Sequence, residues 1–114
     1  MFIEIEGNIT TGFNWQCSIS DYDSLILLEQ RYLDAEKDLL GRGGIFVFEF
    51  LALKPNPITL HFEYCQPWQA DKIAYSLMYR VNIDENLTIT IEEVEGNYFS
   101  DTLPTPRIVR EDYA

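Results

Sequence analysis

Positive charge is scarce in this 114-residue chain: eight lysines and arginines stand against nineteen aspartates and glutamates, for a formal charge of -11. A surface of that sign repels phosphate backbones and anionic head groups, so neither nucleic acid nor a membrane is expected as a partner. A basic partner would be drawn in instead, at a rate that falls as salt rises. Histidine is scarcer still, with His61 alone. A thiol nucleophile needs a histidine in contact, and His61 and Cys65, four residues apart on one extended segment, would stand about 13 Å from each other. One histidine and no CxxC pair leave no zinc site, and no cofactor is expected. The acidic pairs Glu92-Glu93 and Asp21/Asp23 have no supporting motif for glycosidic or metal chemistry and read as solvated faces. The chain is therefore not expected to be an enzyme. Long apolar runs are missing too: nothing approaches the ~18 residues of a membrane span. The opening MFIEIEGN carries two glutamates where a secretion signal needs a basic start and an apolar stretch, so a soluble chain without an address is expected. No internal repeat or low-complexity tract occurs.

What the chain does have is 46% hydrophobic residues, enough for a single core and too few residues for two. The dominant pattern is strict alternation, the mark of half-buried strands. In LHFEYC, Leu60, Phe62 and Tyr64 alternate with His61, Glu63 and Cys65, and the KPNP turn at 54–57 leads into the segment. In IAYSLMYRVNI, the residues Ile73, Tyr75, Leu77, Tyr79, Val81 and Ile83 share one face. A third strand spans Ile45 to Leu53, its charge at Glu49 placing Phe46, Phe48 and Phe50 inside, and Phe13, Trp15, Cys17 and Ile19 form another inward row. By this register Cys17 faces in and Cys65 out, so the two are read as free thiols rather than a disulfide across the core. The segment from Ser24 to Leu40 conflicts with an all-β chain. SLILLEQRYLDAEKDLL holds good helix formers at helical spacing, and the reading divides it: Leu25 to Glu29 extended, with a short helix within 30–40. LTITIEE at 87–93 follows an Asp84-Glu85-Asn86 turn and forms a hairpin with the strand before it. From Gly96 onward, Pro104 and Pro106 and weak alternation describe a loose surface tail, giving one domain over 1–95 and a tail over 96–114.

Three segments combine residues that recognition or tight backbone geometry demands: NITTGFNW at 8–15, LLGRGG at 39–44 and QPW at 66–68. In this order, each beside a strand, they resemble the chagasin-like inhibitors of papain-like cysteine peptidases, whose pattern is NPTTGY/F with a nearby tryptophan, then GxGG, then RPW. The resemblance covers about two-thirds of the chain, residues 8–83. It implies an immunoglobulin-like β-sandwich with three loops clustered at one end, and a reversible, competitive inhibitor that blocks the peptidase cleft. Asn8, Thr10, Thr11, Gly12 and Phe13 would make the central loop, nearest the peptidase's catalytic cysteine. Gly41, Arg42, Gly43 and Gly44 would lay backbone along one side of the cleft, and Gln66, Pro67 and Trp68 would contact the other side, with Trp68 as anchor. Trp15 reads as core.

Departures from the pattern are informative. Ile9 stands where the family has proline, and Gln66 where it has arginine, which removes a fixed φ and a charged multi-donor side chain. Only seven residues precede Asn8, so the family's first strand is expected to be absent and residues 87–93 to cover the edge it leaves; a start that omits upstream residues is the other reading. Asn8-Ile9-Thr10 and Asn86-Leu87-Thr88 match the glycosylation acceptor pattern. A glycan on Asn8 would stand on the central loop, which favours a cytoplasmic or prokaryotic setting. A monomer is expected, and an interaction or adhesion module without peptidase affinity is the alternative function.

Overall fold

The computed structural model describes residues 1–33 and 43–108. Alternation governs where the strands lie. β1 (Phe2–Gly7) buries Ile3 and Ile5 and exposes Glu4 and Glu6. β2 (Asn14–Ile19) buries Trp15 and Ile19, with Cys17 and the preceding Phe13 packed against the core. β3 (Leu25–Leu33), β4 (Gly44–Ala52), β5 (Asn56–Cys65), β6 (Tyr75–Ile83) and β7 (Ile89–Asn97) follow. They form two antiparallel sheets, β1-β4-β3 and β2-β5-β6-β7. The expected all-β sandwich is thus observed.

The sheets meet through the aromatic rows read from the sequence. Phe48 of β4 stands edge-on to Phe62 of β5 at 4.9 Å between centroids, and Phe62 in turn meets Tyr79 of β6 at 5.7 Å. Burying each such ring is worth about 1.5–3 kcal/mol, so this inter-sheet column is a principal source of cohesion. It also fixes the register that decides which ends of the strands lie together.

Several expectations require correction. Alternation puts Ile73 on the inward face of the β6 segment, yet it is exposed and outside the strand, which begins at Tyr75 after a turn closed by Ala74 N–H donating to the Tyr64 carbonyl. The short helix within 30–40 is replaced by strand at residues 30–33, and residues 34–40 lie outside the described residues. A bulge between Leu27 and Glu29 breaks the two-residue period there, and cross-strand packing of Tyr32 on Phe46, 4.9 Å between centroids, outweighs local helix propensity. Cys65 is buried rather than solvent-facing, although it stays outside the core cluster and opposite Asn14 in register. Alternation names the face of a residue, not what covers that face. Both cysteines are free thiols.

Residues 87–93 are paired for most of their length, since β7 lies along β6 at the flank of the larger sheet. The segment after Gly96 is not loose as far as Arg107. Tyr98 and Leu103 pack on the core, Tyr79 Oη donates to the Pro104 carbonyl at 2.8 Å, and Pro106 is buried. Arg107 then exchanges two backbone hydrogen bonds with Phe2, at 2.7 and 2.8 Å. The proline-rich composition hid this because the docking uses backbone groups and single aromatic rings rather than a periodic face.

Candidate functional site

Register alone brings three loops to one pole. Gly7 pairs with Gly44, Asn14 with Cys65, Leu33 with Ile45 and Tyr64 with Tyr75. The β1–β2, β3–β4 and β5–β6 connections therefore all leave the same end of the sandwich.

The β1–β2 loop is a single 3-10 turn over Ile9–Thr11. Gly12 N–H donates to the Ile9 carbonyl at 3.0 Å, and Thr11 Oγ1 donates to the Asn8 carbonyl at 2.6 Å. The chain leaves the turn through Gly12 at φ 82°, a left-handed conformation that glycine enters without strain. The ends of the loop are anchored as well. Asn8 N–H donates to Tyr64 Oη at 2.9 Å, and Phe13 stacks on the same tyrosine at 5.1 Å and 26°. Trp15, 1% exposed, donates from Nε1 to the Glu6 carbonyl at 2.9 Å, which makes it a core residue that also steadies the approach to the loop.

The β5–β6 loop opens with a 3-10 turn over Pro67–Gln69, with proline at its first position, where the missing N–H costs nothing. Gln66 Nε2 donates to the Thr11 carbonyl at 3.1 Å. Trp68 is 69% exposed, yet its ring edge comes within 2.5 Å of where a Cβ on Gly12 would stand. Gly12 and Trp68 are thus in intimate contact, and the two loops form one surface. From the other side, Gly43 lies against the Gly7 carbonyl and the Asn8 side chain, and Gly44 against the Leu33 carbonyl and the Tyr32 ring.

Of the expected site residues, Asn8, Thr10, Thr11, Gly12, Phe13, Gly43, Gly44, Gln66, Pro67 and Trp68 therefore share one end of the molecule. Gly41 and Arg42 lie outside the described residues. No charged side chain occurs from Asn8 to Phe13 or from Gln66 to Ala70, so a contact made through these residues would not carry the cost of stripping water from an ion. The Thr11 hydroxyl is already used as a donor within its own turn.

Sequence reasoning reads Tyr64 as a strand residue and Tyr32 as part of the short helix within 30–40, and misses both hydroxyls. Tyr64 receives the Asn8 N–H, while Tyr32 Oη lies 3.5 Å from both the Ile9 nitrogen and the Gly7 carbonyl. The signal that could have found them is the choice of tyrosine over phenylalanine at inward positions, since a buried phenol needs a partner.

Burial pushes the Cys17 thiol up to about 12, and His61 sits on β5 with Glu63 Oε1 4.0 Å from its Nδ1. Among the described residues no group of three or more histidine, cysteine, aspartate or glutamate side chains is placed to hold a metal.

Residues 1–83 match the Chagasin family peptidase inhibitor I42. A solved structure described as the cysteine protease inhibitor EhICP2 from Entamoeba histolytica is similar in fold, with a TM-score of 0.65 and 24% sequence identity over 73% of this chain and 77% of that one. No curated protein matches the chain.

Proposed function

This chain belongs to the chagasin family of peptidase inhibitors, and from that premise we propose that it inhibits papain-like cysteine peptidases reversibly and competitively by filling the active-site cleft. The observation that carries the reading is the joining of the loops. Gln66 bonded to the Thr11 carbonyl, Trp68 seated on Gly12, and Gly43 against Gly7 and Asn8 make one wedge. The protein contributes shape and hydrogen bonds and performs no chemistry of its own.

In this reading Thr10, Thr11 and Gly12 approach the peptidase's catalytic cysteine, with Asn8 and Phe13 setting the ends of that loop. Gly41, Arg42, Gly43 and Gly44 lie along one side of the cleft, and Gln66, Pro67 and Trp68 along the other. Because the turns are already hydrogen-bonded in the free protein, little ordering entropy is lost on binding. A nanomolar complex needs about 12 kcal/mol net, within reach of a preorganised interface of roughly 800 Å² per partner. The protein acts as a monomer, in a cytoplasmic setting where Asn8 stays unglycosylated.

Titrating papain with the purified protein tests this directly. Competitive inhibition below micromolar concentration is expected. Trp68→Ala is expected to raise Ki by about thirtyfold, the equivalent of an anchor worth about 2 kcal/mol, with Tm nearly unchanged because the ring is largely exposed. A folded protein that leaves papain active at micromolar concentration would turn the assignment toward a non-inhibitory interaction module.

A further inference from the structure

Residues 84–108 lie beyond the part of the chain that matches the family, yet two of them reach back to the base of the central loop. Among the described strands β1 pairs with β4 alone, so along its other edge alternate residues turn both backbone groups outward. Phe2 and Glu6 are two such residues. The outward groups of Phe2 are taken by Arg107, and those of Glu6 are taken by two aromatic side chains. Glu6 N–H donates to Tyr98 Oη at 2.6 Å, while its carbonyl accepts from Trp15 Nε1 at 2.9 Å. Glu6 stands two residues before Asn8, at the entrance to the loop.

Phe99 continues the same contact. Its ring lies 4.4 Å from Tyr75, 5.4 Å from Tyr64 and 5.2 Å from Tyr98. Tyr64 is the residue that holds both ends of the loop, receiving the Asn8 N–H and stacking on Phe13. At the end of β7, Asn97 Oδ1 accepts from the Ser76 N–H at 2.9 Å, next to Tyr75, which sets the point from which Tyr98 and Phe99 cross over. Phe99 is 44% exposed, so it adds little to the core, and its ring contacts are with Tyr75 and with Tyr64 and Tyr98, the two tyrosines bonded to the loop and its entrance.

We propose that Tyr98 and Phe99 are positioning residues for the inhibitory wedge, bracing the Asn8–Phe13 loop in its binding conformation through Glu6 and Tyr64. The inference rests on the function proposed above, because a brace matters to inhibition only if that loop enters a peptidase. A brace acts by raising the fraction of molecules whose loop is competent to bind, and apparent affinity scales with that fraction.

The test compares wild type with Tyr98→Phe, Phe99→Ala and Phe99→Tyr by amide hydrogen exchange on the free protein and by association and dissociation rates with papain. Tyr98→Phe and Phe99→Ala are expected to speed exchange over residues 6–14 by about tenfold, leave β5 and β6 unchanged, and slow association in proportion to the competent population lost, which is a smaller factor than the rise in exchange while the loop stays mostly closed. Phe99→Tyr, which keeps the ring, should behave as wild type. Loop exchange equal to wild type in both variants would overturn the proposal, as would faster exchange with unaltered inhibition. If Phe99→Ala fails to fold, Tyr98→Phe alone decides. Exchange does not involve the peptidase, so a wild-type protein that leaves papain active refutes the functional reading while the brace is still judged by its own measurement.

Discussion

Gly12 is the residue on which the tip depends most sharply. Its φ of 82° disfavours any side chain, and a Cβ would press into the Trp68 ring at 2.5 Å. Gly12→Ala is expected to destabilise the fold by about 1 kcal/mol through the left-handed conformation and to weaken inhibition more than tenfold by displacing Trp68. Thermal unfolding and a Ki measurement check the two parts separately. That Gly12 follows a backbone path a Cβ would obstruct was legible from its place in the loop motif. The role of Gln66 was not: read as the loss of an arginine, it proves to bridge two loops through the Thr11 carbonyl. An amide can serve as such a bridge without carrying charge to the tip. The cysteines were half legible. Cys17 packs on the core and its thiol is held protonated by burial, at about 12, while Cys65 is buried on the other face. Neither thiol is expected to react with Ellman's reagent in the native protein at neutral pH, and both should react after denaturation. A rapid native reaction would show that one is more accessible than the structure indicates.

At the level of elements, strands declared themselves wherever both sides of the alternation were intact. β5 and β6 read cleanly from Leu60 to Tyr64 and from Tyr75 to Ile83 because every second side chain enters the inter-sheet core. β3 did not, since the bulge after Leu27 shifts the phase and a run of leucines with Glu and Arg satisfies a helical pattern equally well. The 3-10 turn at Ile9–Thr11 suggests a gain of function. Ile9 is exposed and occupies the first position of the turn, where proline's fixed φ is compatible; proline would forfeit the 3.5 Å approach of the Ile9 N–H to Tyr32 Oη. Ile9→Pro is accordingly expected to raise stability by about 0.5 kcal/mol by restricting the unfolded chain, and to lower Ki modestly. A drop in Tm would mean that the hydrogen bond to Tyr32 matters more than its length implies.

For the whole molecule, charge and shape are divided. The tip carries no charge over residues 8–13 and 66–70, whereas exposed carboxylates flank the sheets at Glu4 and Glu6 on β1 and at Glu92, Glu93 and Glu95 on β7. Such a distribution would attract a basic partner from a distance while leaving residues 8–13 and 66–70 free of ions to desolvate. Association with a basic papain-like enzyme is expected to slow by about tenfold between low and high salt while dissociation hardly changes. An association rate indifferent to salt would show that the acidic flanks serve solubility alone. The convergence of the loops was foreseen from three ordered motifs, but the closure of the sandwich by residues 98–107 was not, because it is made by isolated contacts far apart in sequence.

The pairing of Phe2 with Arg107 sits at the end of β1 opposite Gly7, and so at the pole remote from the wedge. An anchor, a fusion partner or a fluorescent label joined beside either residue would hang behind the molecule like a handle behind a blade. The two segments meet there closely enough that a short linker could join them and the chain be reopened in the Asp84–Thr88 turn, giving a permuted protein whose business end is untouched.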